Sequence, residues 1–231
     1  EFSHRAVDYS LTDKGRVQAA QTADFFRNQA IDAVYTSPLR RARETAAPIA
    51  AALGKPVTVV ENFREINVGV LEGQPPTPEL WHGHNQLLMA WFAGEHDRAF
   101  EGGESYTDLW RRAQAGYAQV LADVPNGSAV IVAHGGLFTL TIKDLCVNFD
   151  PAVIRARANH NCSVSAVEAW LEDGQVRATL VDWANVGHIH GEAADFEPGS
   201  PARSITPRAR PVWPYSTGGT VSTIPTRSAS A

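Results

Sequence analysis

Apolar positions along the chain follow two periods, one helical and one of strict alternation. Val17, Ala20, Ala23 and Phe25 recur at near-helical spacing after Leu11-Thr12-Asp13-Lys14-Gly15. Thr12 is a natural N-cap there, so an amphipathic helix is predicted to about Asn28. Residues 31–35 (I-D-A-V-Y) form an apolar, β-branched run that reads as a strand. The alanine-rich pattern over 39–53 reads as a helix, stopped by Gly54 as a C′ residue. Ser37 and Pro38 stand before it as candidate N-cap and first-turn residue. Residues 57–60 (V-T-V-V) predict a second strand, and 63–73 a loop with two glycine turns. A tryptophan- and leucine-rich helical stretch covers 79–93 and fits either a lid over a site or a packing helix.

Ser105 and Asp108 predict a capping box, followed by Leu109, Ala113, Tyr117 and Leu121 at helical spacing up to Asn126-Gly127. Residues 129–133 (A-V-I-V-A) are continuously apolar, as in a strand covered on both faces. His134-Gly135-Gly136 follows at once, and 137–147 reads as the next helix. Around Asp173-Gly174, two alternating runs at 161–171 and 176–183 predict a hairpin. Strands alternating with helices at these lengths argue for βα units and a mainly parallel sheet, hence an α/β domain over residues 1–190. Beyond His190, Gly, Pro, Ser and Thr dominate, and residues 191–231 are expected to be a disordered tail.

Composition narrows the partners. The 231 residues carry a formal charge of −5, which argues against bulk attraction to nucleic acid or an anionic membrane. Any anion site must therefore be local. No long uncharged apolar stretch suits a membrane span or signal peptide. Two cysteines, Cys146 and Cys162, are too few for a disulfide framework and point to a reducing, cytoplasmic compartment. The single methionine is Met89, so Glu1 is not a translation start and a fragment or processed form is expected.

The candidate chemistry lies at predicted strand ends, where parallel α/β sheets bind ligands. Residues 36–46 (T-S-P-L-R-R-A-R-E-T-A) carry Arg40, Arg41 and Arg43 into the first turns of a helix, where the macrodipole disfavours cations unless an anion is near. Glu65 follows the second strand and His134 ends the third. Arginine forks match phosphate oxygens, a carboxylic acid can protonate a leaving oxygen, histidine can donate to or attack phosphorus, and Gly135-Gly136 lets backbone approach closely. Each residue also has a plainer reading: a solvated basic face, an exposed Arg64–Glu65 pair, a satisfied strand-end histidine.

Five ordered motifs are more specific. Residues 11–15 (L-T-D-K-G), Ser37-Pro38-Leu39-Arg40-Arg41-Ala42 with Glu44-Thr45-Ala46, Phe63-Arg64-Glu65-Ile66-Asn67 with Gly69 and Glu72-Gly73, Gly103-Glu104-Ser105, and Val132-Ala133-His134-Gly135-Gly136 resemble the phosphoglycerate-mutase-like branch of the histidine phosphatase superfamily. The sequences at 161–165 and 185–189 resemble that family's closing hairpin and terminal segment. The resemblance implies a three-layer α/β/α sandwich with a mostly parallel sheet. It assigns phosphate binding to Arg41 and Gly135, proton donation to Glu65, and phosphoryl contact to His134. Ser3 stands where the family has a phosphate-contacting asparagine. The family's opening Arg-His-Gly, whose histidine is the nucleophile, occurs nowhere in the chain. The resemblance thus implies a chain that begins just downstream of that motif, without its first strand, and is inactive or impaired by itself. Implied for the intact protein is a phosphomonoester hydrolase acting on a small phosphorylated metabolite through phosphohistidine, with no metal or other cofactor. A mutase and a non-catalytic phosphate-binding protein are the alternatives.

Overall fold

A computed structural model describes residues 7–75, 77–196 and the backbone of 219–225. Strand β3 (Ser128–His134) organises the molecule. Its side chains alternate in direction, as a pleated strand requires. Ala129, Ile131 and Ala133 join one apolar cluster, and Val130 and Val132 another. Both faces of the sheet are therefore covered, which explains the continuous apolar run.

One cover consists of α1 (Asp13–Phe26) and α2 (Arg40–Leu53), which place Ala23, Phe26, Ala42, Ala46 and Ile49 against β3 and Val34 of β1 (Ala33–Thr36). The other cover includes α3 (Pro78–Phe92), α4 (Tyr106–Asp123), α5 (Gly135–Leu145) and the short α6 (Pro151–Ala156), which contribute Trp91, Leu109, Leu137 and Ile154 to the larger cluster. The result is the expected α/β/α sandwich. Strand β2 (Val57–Val59) and β3 both pair parallel to β1. The hairpin β4 (Val164–Glu172) and β5 (Gln175–Asn185) closes the far side, turning at Asp173 (φ 48°) and Gly174 (φ 76°). Two left-handed residues in a row are what a tight hairpin with right-handed twist demands.

The expected disordered tail needs correction in two places. Gly191–Ala194 forms a 3-10 turn whose Ala193 packs with Cys162 and Ile189, and the Ala193 carbonyl accepts from Gln18 Nε2 at 2.9 Å. The ordered domain therefore runs past 190, to at least Phe196, whose ring stacks on His160. Gly219–Pro225 forms β6, antiparallel to β3 and parallel to β4, in the sheet order β2-β1-β3-β6-β4-β5. Its sequence T-V-S-T-I is β-branched and alternating, a strand pattern hidden by the overall composition. It pairs the edges that β3 and β4 would otherwise leave open. The remainder of the tail lies outside the described residues. No strand precedes α1 among the described residues, and β6 fills the position between β3 and β4.

The entry to α1 is tied to α2 by Glu44. Its carboxylate accepts from Leu11 N at 2.7 Å, from Ser10 Oγ at 2.8 Å, and from Arg40 Nε at 2.7 Å. The Leu11 backbone bond above all lowers the Glu44 pKa from 4.5 to about 2. A carboxylate with a depressed folded-state pKa stabilises above its unfolded value and loses that stabilisation as pH falls. Glu44→Gln is therefore expected to destabilise by about 1 kcal/mol at neutral pH, after allowance for solvent screening. Thermal melts of the two proteins should converge between pH 4.5 and about 2. A constant gap across that range would show that the charge is irrelevant.

Candidate active site

The C-terminal ends of β1 and β3 lie side by side, and the chemistry gathers on that rim. Ser37 N donates to Val132 O at 2.9 Å, which extends the parallel ladder one residue beyond β1. Ser37 is thereby fully buried, with its Oγ 2.7 Å from His134 Nε2. This corrects the expectation that Ser37 caps α2. The helix begins at Arg40, with Leu39 at the N-cap position and no capping side chain of its own. The missing acceptor comes from elsewhere: Asp8 Oδ1 takes the Arg40 N–H at 2.6 Å.

The three arginines of this turn separate cleanly. Arg43 is exposed, and Arg40 pairs with Glu44 on the surface. Arg41 is 8 % exposed. Burial lowers its pKa, and the negative charges of Glu65 and Asp8 oppose that shift. An arginine stays charged under such conditions. The cation conflict at the start of α2 is thus eased by carboxylates of the chain itself, and Arg41 is the guanidinium held at the rim.

Glu65 is placed by a second helix start. Its carboxylate accepts from Leu137 N at 3.0 Å and Gly136 N at 3.3 Å, in the first turn of α5, and from its own neighbour Ile66 N at 3.0 Å. The N-terminal N–H groups of a helix are a ready-made anion site, and here Glu65 occupies it. His134, the last residue of β3, is the N-cap of α5 without a side-chain capping bond, and its imidazole meets Ser37. Arg64 pairs with Glu61.

Gly136 explains why a glycine pair follows the histidine. A Cβ at that position would stand 2.6 Å from Glu65 Oε1 and 2.7 Å from Ile66 Cδ1. Helix propensity alone favours alanine over glycine by about 1 kcal/mol. Gly136→Ala is nevertheless expected to destabilise, by about 1–3 kcal/mol, because the neighbours must move. A thermal melt decides between the two, and a gain in stability would show that Glu65 is not packed against this turn.

Ser3 and Gly135 are the remaining site candidates from the sequence. Ser3 lies outside the described residues. Gly135 is buried at the start of α5, where its carbonyl accepts from Asn159 Nδ2 at 3.4 Å. Trp81, His84 and Trp91 are buried on the inner face of α3, which makes that helix a packing element, and His82 is exposed. Burial lowers the His84 pKa to about 4. His188 meets Thr22 of α1 and the Cys162 carbonyl. Among the described residues, no group of three or more His, Cys, Asp or Glu could hold a metal ion, and no helix is long and apolar enough to cross a membrane.

Sequence reasoning missed Asp8 and Arg112, and gave Glu104 no role beyond its place in the Gly103-Glu104-Ser105 motif. Asp8 sits in a polar, irregular opening segment with no pattern to mark it. Arg112 follows Arg111 on a helix, where two adjacent arginines read as solvated charge.

Residues 2–183 match the family model of the histidine phosphatase superfamily, branch 1. The chain belongs to this family. It is 33 % identical over 195 residues to "Probable phosphoglycerate mutase GpmB" of Erwinia tasmaniensis, covering 81 % of this chain and 87 % of that protein. The native structure of mycobacterial glucosyl-3-phosphoglycerate phosphatase is 26 % identical and superposes with a TM-score of 0.61 over 80 % of this chain and 91 % of that one. YhfR of Bacillus stearothermophilus, at 22 % identity, shares the fold with a TM-score of 0.64 over 82 % and 91 %. Histidine phosphatases include both phosphatases and mutases, so membership makes this an enzyme family protein without choosing between the two.

Proposed function

We propose that the intact protein is a phosphomonoester hydrolase acting on a small phosphorylated metabolite in the cytoplasm. The observation that carries this reading is the buried Arg41 guanidinium, set on the same rim as the Ser37–His134 pair and the Glu65 carboxylate. Arg41 and His134 are suited to hold the equatorial oxygens of a phosphoryl group, the electrostatic work that phosphoryl transfer demands. Gly135, with backbone at the start of α5, and Ser3 complete the proposed phosphate contacts.

The nucleophile in this reading is a histidine, as the family resemblance implies. Its ring nitrogen attacks phosphorus in line, the P–O ester bond breaks, and Glu65, protonated for this step, gives its proton to the departing alkoxide. Water then attacks the phosphohistidine, Glu65 takes the water's proton, the P–N bond breaks and inorganic phosphate leaves.

A mutase reading has support in the relative named as a phosphoglycerate mutase. Against it, the residue after Glu65 is Ile66, buried at 3 % exposure and lined up against Gly136 rather than offering a second phosphate contact. Translating the complete reading frame and supplying a panel of phosphomonoesters tests the choice. Hydrolysis predicts free phosphate and alcohol in equal amounts with no bisphosphorylated primer. Positional isomers of the substrate without free phosphate would make it a mutase, and tight phosphate binding without turnover a non-catalytic binder.

A further inference from the structure

We propose that Arg112 is a positioning residue for Glu65, acting with Glu104 from the supporting helix α4. All five guanidinium N–H groups of Arg112 can be matched to acceptors. Nη1 donates to Asn62 O at 2.8 Å and Arg64 O at 2.7 Å, and Nη2 to Glu65 O at 3.0 Å. Nε and Nη2 also grip the two oxygens of Glu104, at 2.9 and 2.7 Å. Glu104 then reaches the other flank of Glu65: its Oε1 accepts from Asn67 N at 2.7 Å, and its own N donates to Asn67 O at 3.0 Å.

The segment 62–67 is therefore clamped on both sides of Glu65 by one ion pair. Both partners are largely withdrawn from water, with side chains 19 % and 10 % exposed. A bidentate pair of this kind fixes geometry as well as adding attraction. Gly103 makes the contact possible, since a Cβ there would collide with the Asn67 carbonyl. Arg112 itself is carried by α4, whose start is fixed by the Ser105–Asp108 capping box. The carboxylate of Glu65 is bonded to the first turn of α5, a different element from the one that holds its backbone. Its position relative to bound phosphate thus depends on where the clamp holds the backbone. Misplacement of a reacting group by about 1 Å can cost about 100-fold in rate.

The inference rests on the reading of Glu65 as the acid that protonates the leaving alcohol. The test uses the protein from the complete reading frame and compares kcat/KM for glycerol 2-phosphate, a poor leaving group, with 4-nitrophenyl phosphate, a good one. Arg112→Gln is expected to lose about 100-fold on the first ester and less than about 3-fold on the second. In the double variant with Glu65→Gln, the Arg112 change is expected to cost nothing further on glycerol 2-phosphate, because both act through one proton transfer. Equal losses on the two esters, or additive losses in the double variant, would reduce Arg112 to a structural residue and overturn the proposal. If Glu65→Gln alone discriminates between the esters and Arg112→Gln does not, only this proposal fails. If Glu65→Gln does not discriminate, the acid reading fails first. Should Arg112→Gln not melt cooperatively, Glu104→Gln, an isosteric change that keeps Arg112 and its three carbonyl bonds, replaces it. A split of about 10-fold in the same direction is then expected, and its absence counts against the clamp.

Discussion

Replacing Arg41 by alanine in the intact protein is expected to lower kcat/KM for any phosphomonoester by about 1,000-fold, the upper end of what losing one donor to a developing oxyanion costs. Arg41 is the buried arginine of its cluster, with Glu65 and Asp8 as the charges that act on it. Its removal takes away the planar fork of donors proposed for the phosphoryl oxygens. Lysine restores the charge but not the fork, so Arg41→Lys should recover only part of the loss. The measurement is initial-rate hydrolysis, with a melting curve to confirm that each variant is folded. Arg40→Ala is the control: an exposed side chain paired with Glu44 should leave turnover within about 3-fold of normal, because surface pairs contribute little. Near-normal turnover by folded Arg41→Ala would remove Arg41 from the site.

Glu65→Gln has a different fingerprint. Glutamine keeps the size, and its one oxygen can still accept from Leu137 N and Ile66 N at the loss of the longer bond from Gly136 N, so the loop should stay in place. What it lacks is a proton to give. Positioned proton transfer contributes about 100- to 10,000-fold, and most where the leaving oxygen is basic. An alkyl phosphate should therefore lose about 1,000-fold while a nitrophenyl phosphate loses little. Equal losses on both would assign Glu65 to phosphate binding or to structure.

What could be read from the sequence was what is decided locally or by one strand's burial. The Ser105–Asp108 box, the Asp173-Gly174 turn and the both-faces-covered β3 all depend on neighbours in sequence, and the structure has them. The start of α2 was less legible because its determinants are remote. Ser37 is a good cap by local rules, yet it is drawn into the β1–β3 ladder and meets His134, 97 residues away, while Asp8 serves the helix end. Helix α6 escaped periodicity because six residues make fewer than two turns, although Asp150-Pro151 carries a cap followed by a first-turn proline. Strand β6 was masked by a window of Pro, Gly and Ser around a short alternating core. At the site, Arg41, Glu65 and His134 could be singled out because each ends or follows a strand of a parallel sheet. The Arg112–Glu104 clamp could not, since its partners are mostly backbone carbonyls that no residue pattern marks.

The central claim is that this rim serves a phosphohistidine. The most direct measurement is rapid quenching of the intact protein with a phosphate-labelled substrate, followed by mapping of the labelled peptide. The expected result is one phosphoryl group per chain, labile in acid and stable in base, on a histidine other than His134. It should be retained longer in Glu65→Gln, where water attack lacks its base. Label on His134, label on a carboxylate, or steady hydrolysis with no trapped label would contradict the account.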